Sequence, residues 1–218
     1  MRIRAGDRIL IVGPTRSGKS TLATSIARGW RHVLVYDPKG AGDQAALLPG
    51  AAIAWGVDEA ARHLPAGRVI YRPLPHEHDD LAASFDRLLR RIVLGGGACG
   101  VVVHETEDVA PASGLRRWMS VAIRQGAGMR VPMIFVTQRP VWISRLVRSQ
   151  AVGFGHVFLF GQHTRADLRT IADELAVDWR DLDRRLPAYA YLHRGPGGPI
   201  AARPPLRLDH EPAPRPVW

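Results

Sequence analysis

Short uninterrupted apolar runs alternate with helical patterns along this chain. Arg8-Ile9-Leu10-Ile11-Val12, His32 to Tyr36, Arg68 to Arg72, Val101 to Val103, Val131 to Val136 and Gly155 to Phe160 read as strands. Each is too short for a buried helix and rich in β-branched or aromatic residues. Runs apolar at consecutive positions suit a parallel sheet covered on both faces. Thr21 to Gly29 reads as a helix. Leu81 to Leu94 is a second, with Leu81, Phe85, Leu88, Leu89, Ile92 and Val93 on one face and Arg87, Arg90 and Arg91 off it. Pro111 to Gln125 and Thr164 to Leu175 are predicted helices, the latter capped by Thr164 or its neighbour. Val141 to Val147 is amphipathic, and Trp179 to Leu186 reads as a short charged helix. Residues 41–66 are Ala-rich and weakly patterned, with a short strand at Ala51 to Trp55 and a helix at Val57 to His63. Ala188 to Arg194 reads as the last strand, at a sheet edge. From Gly195 onward seven of the 17 prolines fall within 24 residues, so an extended tail is expected. The pattern predicts one α/β domain over 1–194 and a Pro-rich tail over 195–218. No internal repeat and no second core are visible.

The turn after the first strand carries the chemistry. Gly13-Pro14-Thr15-Arg16-Ser17-Gly18-Lys19-Ser20 matches G-x-x-x-x-G-K-[ST], with a strand before it and a helix starting at its end. Glycines at both ends let successive backbone N–H groups turn inward around a polyphosphate. The helix N-terminus adds partial positive charge and free donors. Lys19 is placed to reach the β- and γ-phosphates, and the Ser20 hydroxyl to ligate Mg²⁺. Gly13 through Thr21 is therefore the expected nucleotide-binding stretch.

A phosphate loop that hydrolyses ATP needs acidic groups at the end of a neighbouring strand. Val101-Val102-Val103 ends in His104-Glu105-Thr106-Glu107-Asp108. The usual pair there is Asp-Glu. His104 stands at the Asp position and is a poor Mg²⁺ ligand, because Mg²⁺ prefers hard oxygen donors. Either Glu105 takes the metal role with Glu107 or Asp108 assisting, or the metal relies on Ser20, phosphate and water. The next strand ends in Thr137-Gln138-Arg139-Pro140, where Gln138 and Thr137 can sense the γ-phosphate or orient water. The second strand ends in Asp37-Pro38-Lys39-Gly40. Lys39 reads either as a second phosphate or DNA contact or as part of a solvated turn. His76-Glu77-His78-Asp79-Asp80 invites a metal reading, but the spacing fits no standard zinc site, and Asp79-Asp80 sits where a helix should start. Gly95-Gly96-Gly97 lacks a lysine and a following helix and reads as a connector.

Composition narrows the partners. Thirty basic residues face twenty acidic ones, a formal +10, and the only lysines are Lys19 and Lys39. A strongly basic chain suits a polyanion such as nucleic acid, through counterion release. A composition biased toward Arg, Ala, Gly and Pro is the bland alternative. Cys99 is the single cysteine, so no intrachain disulfide forms and a reducing compartment fits. No stretch is apolar for long enough to span a membrane, and no leader peptide is expected before the first strand.

The order of motifs resembles the FtsK–HerA superfamily of DNA-pumping ATPases, over about residues 8 to 175. The phosphate loop alone is common to many families. More specific are TQRP at 137–140 and the stretch from Arg124 to Asp173, with a glycine-flanked basic segment before TQRP and a strand–helix unit after it. The small size looks most like the genome-packaging ATPases of icosahedral, membrane-containing viruses. The resemblance implies a single-domain P-loop NTPase of RecA-like (ASCE) type, with a mostly parallel central sheet flanked by helices. It implies ATP and Mg²⁺ as ligands and double-stranded DNA as the moved substrate. It implies a homo-oligomeric ring, typically a hexamer, at a capsid or portal vertex, and a location in the virion or host cytoplasm. Lys19 and Ser20 take the nucleotide and metal roles, Glu105 activates water, and Gln138 is the sensing glutamine. An arginine from a neighbouring subunit completes the site in this family. Arg124 lies nearest that position, with Arg130, Arg145 and Arg148 as rivals. Conjugation and filamentous-phage assembly ATPases are alternatives within the superfamily. A small phosphotransferase, or a nucleotide-dependent scaffold with weak hydrolysis, is the alternative outside it.

Overall fold

The computed structural model describes residues 3–4, 6–40, 46–161 and 163–205. Part of the Ala-rich segment (41–45) and the end of the Pro-rich tail (206–218) lie outside the described residues. Among the described residues nine strands form one sheet: β1 (Arg8–Val12), β2 (Val33–Tyr36), β3 (Ala52–Trp55), β4 (Arg68–Arg72), β5 (Gly100–Val103), β6 (Met133–Thr137), β7 (His156–Phe160), β8 (Tyr191–Arg194) and β9 (Ala201–Arg203). Their order across the sheet is β3-β4-β2-β5-β6-β1-β7-β8-β9. All neighbours from β3 to β7 pair in parallel, while β8 and β9 are antiparallel additions at one edge.

The apolar runs are strands because both of their faces are covered. Ile9 and Ile11 of β1 pack with Leu22, Ala23 and Ala27 of the helix Lys19–Ala27. Leu10 and Val12 point the other way, toward Phe85, Leu88 and Leu89 of the helix Leu81–Leu94 and Met119, Ala122 and Ile123 of the helix Arg117–Gln125. The alternation follows from the two-residue period of a strand.

The parallel pairing decides where function sits. With β6 between β1 and β5, the C-terminal ends of the three strands lie side by side at one sheet edge. The register aligns Val12 with Thr137 and Val103 with Phe135. The phosphate loop, Gln138 and Glu105 therefore leave the sheet next to one another, at the edge where open parallel sheets carry ligands.

Arg8 locks the opposite edge. It is 1 % exposed, and its guanidinium donates to the carbonyls of Ala122 and Ile123 at the end of the helix Arg117–Gln125, and to those of Gly6 and Val131. A buried cation on the helix-end carbonyls, where Ala122 O also accepts from Gly126 N, closes that helix electrostatically as well as sterically. Burial lowers its pKa to about 10, against the opposing pull of Asp7.

Three segments depart from the sequence expectation. The helix expected over Pro111 to Gln125 begins only at Arg117. Pro111 instead bridges Ile143, Gly114 takes φ 151°, and a separate short helix covers Thr106–Val109. The amphipathic stretch at Val141 is a 3-10 turn (Pro140–Trp142), after which Ser144 caps a longer helix, Arg145–Phe154, by accepting from Leu146 N. The last strand among the described residues is β9, so the sheet continues past residue 194 into the expected tail. Thr164 does cap the helix Arg165–Leu175, and Asp80 caps Leu81–Leu94. Glu77, from the acidic–histidine cluster, is committed to structure. It is 5 % exposed and accepts from Val57 N, Leu74 N and the Tyr71 hydroxyl.

Candidate nucleotide site

The phosphate loop is shaped by contacts that only its sequence permits. A Cβ at Gly13 would come within 2.7 Å of Phe160 Cβ and 2.8 Å of Ser17 Oγ, so the loop can lie against β7 only with glycine there. Gly18 has φ 98° and forms the N-cap of Lys19–Ala27, a conformation that L side chains rarely adopt. The loop opens into a cleft of about 470 Å³ lined by Thr15 through Thr21, Lys39, His104, Glu105, Val136, Thr137, Gln138 and Tyr189.

Lys19 is 8 % exposed and donates to the Pro14 carbonyl at 2.6 Å. Burial lowers its pKa to about 8, with Lys39 adding to the shift and Glu105 and Glu107 opposing it. Opposite the loop, Gln138 spans the cleft. Its Oε1 accepts from Thr15 Oγ1 at 3.0 Å, and its Nε2 donates to Glu105 Oε2 at 3.5 Å. Glu105 has φ 49° and ψ 60°, a left-handed conformation uncommon for a glutamate and frequent at functional sites. Its second oxygen, Oε1, accepts from Lys39 Nζ at 2.6 Å. Lys39 thus lines the cleft from an exposed turn. Glu107 accepts from Thr137 Oγ1 at 2.9 Å, and burial raises its pKa, with Glu105 and Asp108 adding to the effect.

His104 is 6 % exposed, and its Nε2 has no hydrogen-bond partner among the described residues. Burial pulls its pKa down to about 4, with a further push from Lys19. It is a neutral imidazole at physiological pH, supplying no charge where the usual pattern supplies a carboxylate.

This geometry is that of a nucleotide-hydrolysing phosphate loop, and comparison with known proteins identifies the family. Over 186 residues the chain is 30 % identical to the DNA packaging ATPase of Enterobacteria phage PRD1, spanning 81 % of this chain and 73 % of the relative. The chain belongs to the family of viral DNA-packaging ATPases. No protein-family model matches it. Its fold is shared with the genome packaging NTPase from Sulfolobus turreted icosahedral virus 2 solved with sulfate, at a TM-score of 0.75 and 17 % identity over 95 % of this chain and all of that one. VirB4 of Thermoanaerobacter pseudethanolicus also shares it, at a TM-score of 0.65 and 8 % identity over 93 % and 90 % of the two chains. The mostly parallel single-domain P-loop architecture expected from the sequence is therefore the architecture of this packaging ATPase.

The packaging ATPase brings Lys19, Ser20, Glu105 and Gln138 to one cleft. It does not bring Arg124 there. Arg124 lies in the last turn of Arg117–Gln125, the end held by Arg8, and so at the sheet edge remote from the loop. It is exposed and makes no ion pair among the described residues. Arg145 and Arg148 both lie within reach of Glu174, at 3.6 and 3.5 Å, and Arg148 also donates to the carbonyls of Pro140 and Ile143. Arg139 of the TQRP motif pairs with buried Asp167 at 2.9 Å and lies over the Trp142 ring, tying the end of β6 to the helix Arg165–Leu175. Its role is structural.

Sequence reasoning did not find the Lys39–Glu105 pair or Tyr189. The pair needs β2 beside β5, a topology fact. Tyr189 reaches the cleft only because β8 runs antiparallel, and no local pattern signals that.

Proposed function

We propose that the chain hydrolyses ATP in the Gly13–Ser20 cleft and couples the reaction to translocation of double-stranded DNA into a viral procapsid. The observation that carries the reading is the convergence of Lys19, Glu105 and Gln138 on one cleft in a chain related to a phage DNA packaging ATPase. Lys19, already desolvated, supplies positive charge to the β- and γ-phosphates. Glu105 takes a proton from the attacking water, and Gln138 orients that water while its other end senses the loop through Thr15. The net +10 charge, nearly all of it arginine, supports sequence-independent contact with phosphates, which a motor that must pull any DNA requires.

The donor set fits Mg²⁺. Ser20 and Glu105 offer hard oxygens at the cleft, and Glu107 lies behind it on Thr137, whereas His104 is a buried neutral imidazole. Ser20 and the phosphates would hold the ion in this reading, with Glu105 reaching it through a bound water, so that the carboxylate stays available as the base. Bound there, the metal neutralises charge on the transferring phosphoryl group.

A homo-oligomeric ring, a hexamer by family precedent, places an arginine of one subunit at the cleft of the next. Arg124 suits that task because it is exposed, has no ion-pair partner among the described residues, and lies far from its own cleft. A ring at a capsid vertex engages capsid or portal proteins. Among the described residues no helix is long and apolar enough to cross a membrane.

His104 favours one second reading, a scaffold that binds nucleotide and hydrolyses it weakly. Mg-ATP hydrolysis with and without linear double-stranded DNA, alongside the oligomeric state, separates the possibilities. DNA-stimulated turnover in an oligomer supports the motor. Bound ATP without turnover, even with DNA, favours the scaffold. Phosphate transfer to a nucleoside monophosphate without a DNA effect refutes both.

A further inference from the structure

Tyr189 is the outlier that the hydrolytic machinery leaves unexplained. Tyr189 is 59 % exposed, more than Trp55 or Trp142, the other exposed aromatics among the described residues. Its backbone has φ 63°, and the Ala190 N–H donates to the Pro187 carbonyl at 3.0 Å, closing a turn. Tyr189 occupies the third position of that turn, where a positive φ ordinarily calls for glycine or asparagine. A bulky residue there is strained, and strain that persists marks a functional constraint.

Its surroundings name the constraint. β8 runs antiparallel to β7, with Tyr191 opposite Phe160, so the turn before β8 stands at the same sheet edge as the phosphate loop. The Tyr189 ring comes within 3.5 Å of the point where a Cβ of Gly18 would stand, and it lines the cleft with Thr21. The strand order places β6 and β5, carrying Gln138 and Glu105, on one flank of β1, and β7 and β8 on the other. A triphosphate whose γ-end meets Glu105 and Gln138 directs its nucleoside end to the opposite flank, where Tyr189 waits.

We infer that Tyr189 is the base platform of the site: its exposed ring stacks on the nucleobase of a bound nucleoside triphosphate. The inference rests on the nucleotide reading proposed above. Stacking is available from any π-face, so Tyr189 supplies affinity for the base without choosing strongly between adenine and guanine.

Binding of ATP, GTP and inorganic tripolyphosphate to the full chain, by calorimetry, tests it. Tyr189→Ala should weaken ATP and GTP by roughly ten-fold, the usual scale for losing one base–aromatic stack, while tripolyphosphate binds as before. Tyr189→Trp should keep the affinity of the parent. Tyr189→Gly should weaken ATP yet leave the melting temperature unchanged or higher, because glycine relieves the turn. Unchanged ATP affinity in Tyr189→Ala, or equal weakening of ATP and tripolyphosphate, overturns the platform. Failure of the parent protein to bind either ligand overturns the nucleotide reading itself.

Discussion

Lys39 Nζ lies 2.6 Å from Glu105 Oε1, joining the ends of the adjacent strands β2 and β5 on one side of the nucleotide cleft. Glu105 is therefore held at both oxygens, by Lys39 on one and Gln138 on the other. That fixes a carboxylate whose backbone is already in an uncommon conformation.

Lys39→Ala should lower the ATPase turnover by about ten-fold, the effect of a misplaced base, with ATP affinity little changed. Lys39→Arg should recover part of it. The split between kcat and the dissociation constant is the check, since Lys39 is half exposed and its loss should leave the fold intact.

The empty-site pKa of Lys19, about 8, makes nucleotide binding pH-dependent. A bound triphosphate favours the charged amine, so above pH 8 the protein must take up a proton to bind. ATP affinity should fall as pH rises from 8 to 9, by up to about ten-fold per unit. Calorimetry at pH 8.5 in buffers of different ionisation enthalpy should report the proton uptake. Lys19→Ala should abolish both the pH effect and most of the binding.

Acid should destabilise the fold through two histidines. His104 and His193 are both pulled to about 4, each chiefly by burial, and His193 further by His156. An unfolded histidine titrates near 6.5. Between about pH 6.5 and 4 the unfolded chain thus binds more protons, and stability falls as pH falls. The melting temperature should drop through that window. His104→Asn should flatten the drop.

Arg8→Met should cost on the order of 3 kcal/mol, because it removes the guanidinium donors from the carbonyls of Ile123, Gly6 and Val131, while Ala122 O keeps only its bond from Gly126 N. Differential scanning calorimetry should show a melting point lower by roughly 5–10 °C, with nucleotide affinity kept, since Arg8 lies at the far edge of the sheet.

Much of this was legible in the sequence, for physical reasons. β1, β4 and the helix Leu81–Leu94 are found at their predicted bounds because an apolar run or a one-sided stripe needs no knowledge of its neighbours. The cleft was legible because parallel strands deliver their C-terminal ends to one edge, so a phosphate loop, an acidic strand end and a strand ending in glutamine must meet. The misses depend on tertiary contacts. Pro111 is drawn from its expected helix by Ile143, and β9 exists only because β8 offers an edge. The buried, neutral state of His104 follows from its surroundings and not from its position after Val103.

In the proposed reaction Glu105 is the base for ATP hydrolysis in this cleft. The decisive measurement is single-turnover hydrolysis by Glu105→Gln, loaded with Mg-ATP in the presence of double-stranded DNA. ATP should stay bound with near-parental affinity, while phosphate release slows by roughly 10²–10⁴-fold, the range for losing a general base. Phosphate release at the parental rate in Glu105→Gln, or its loss only in Glu107→Gln, would contradict the assignment.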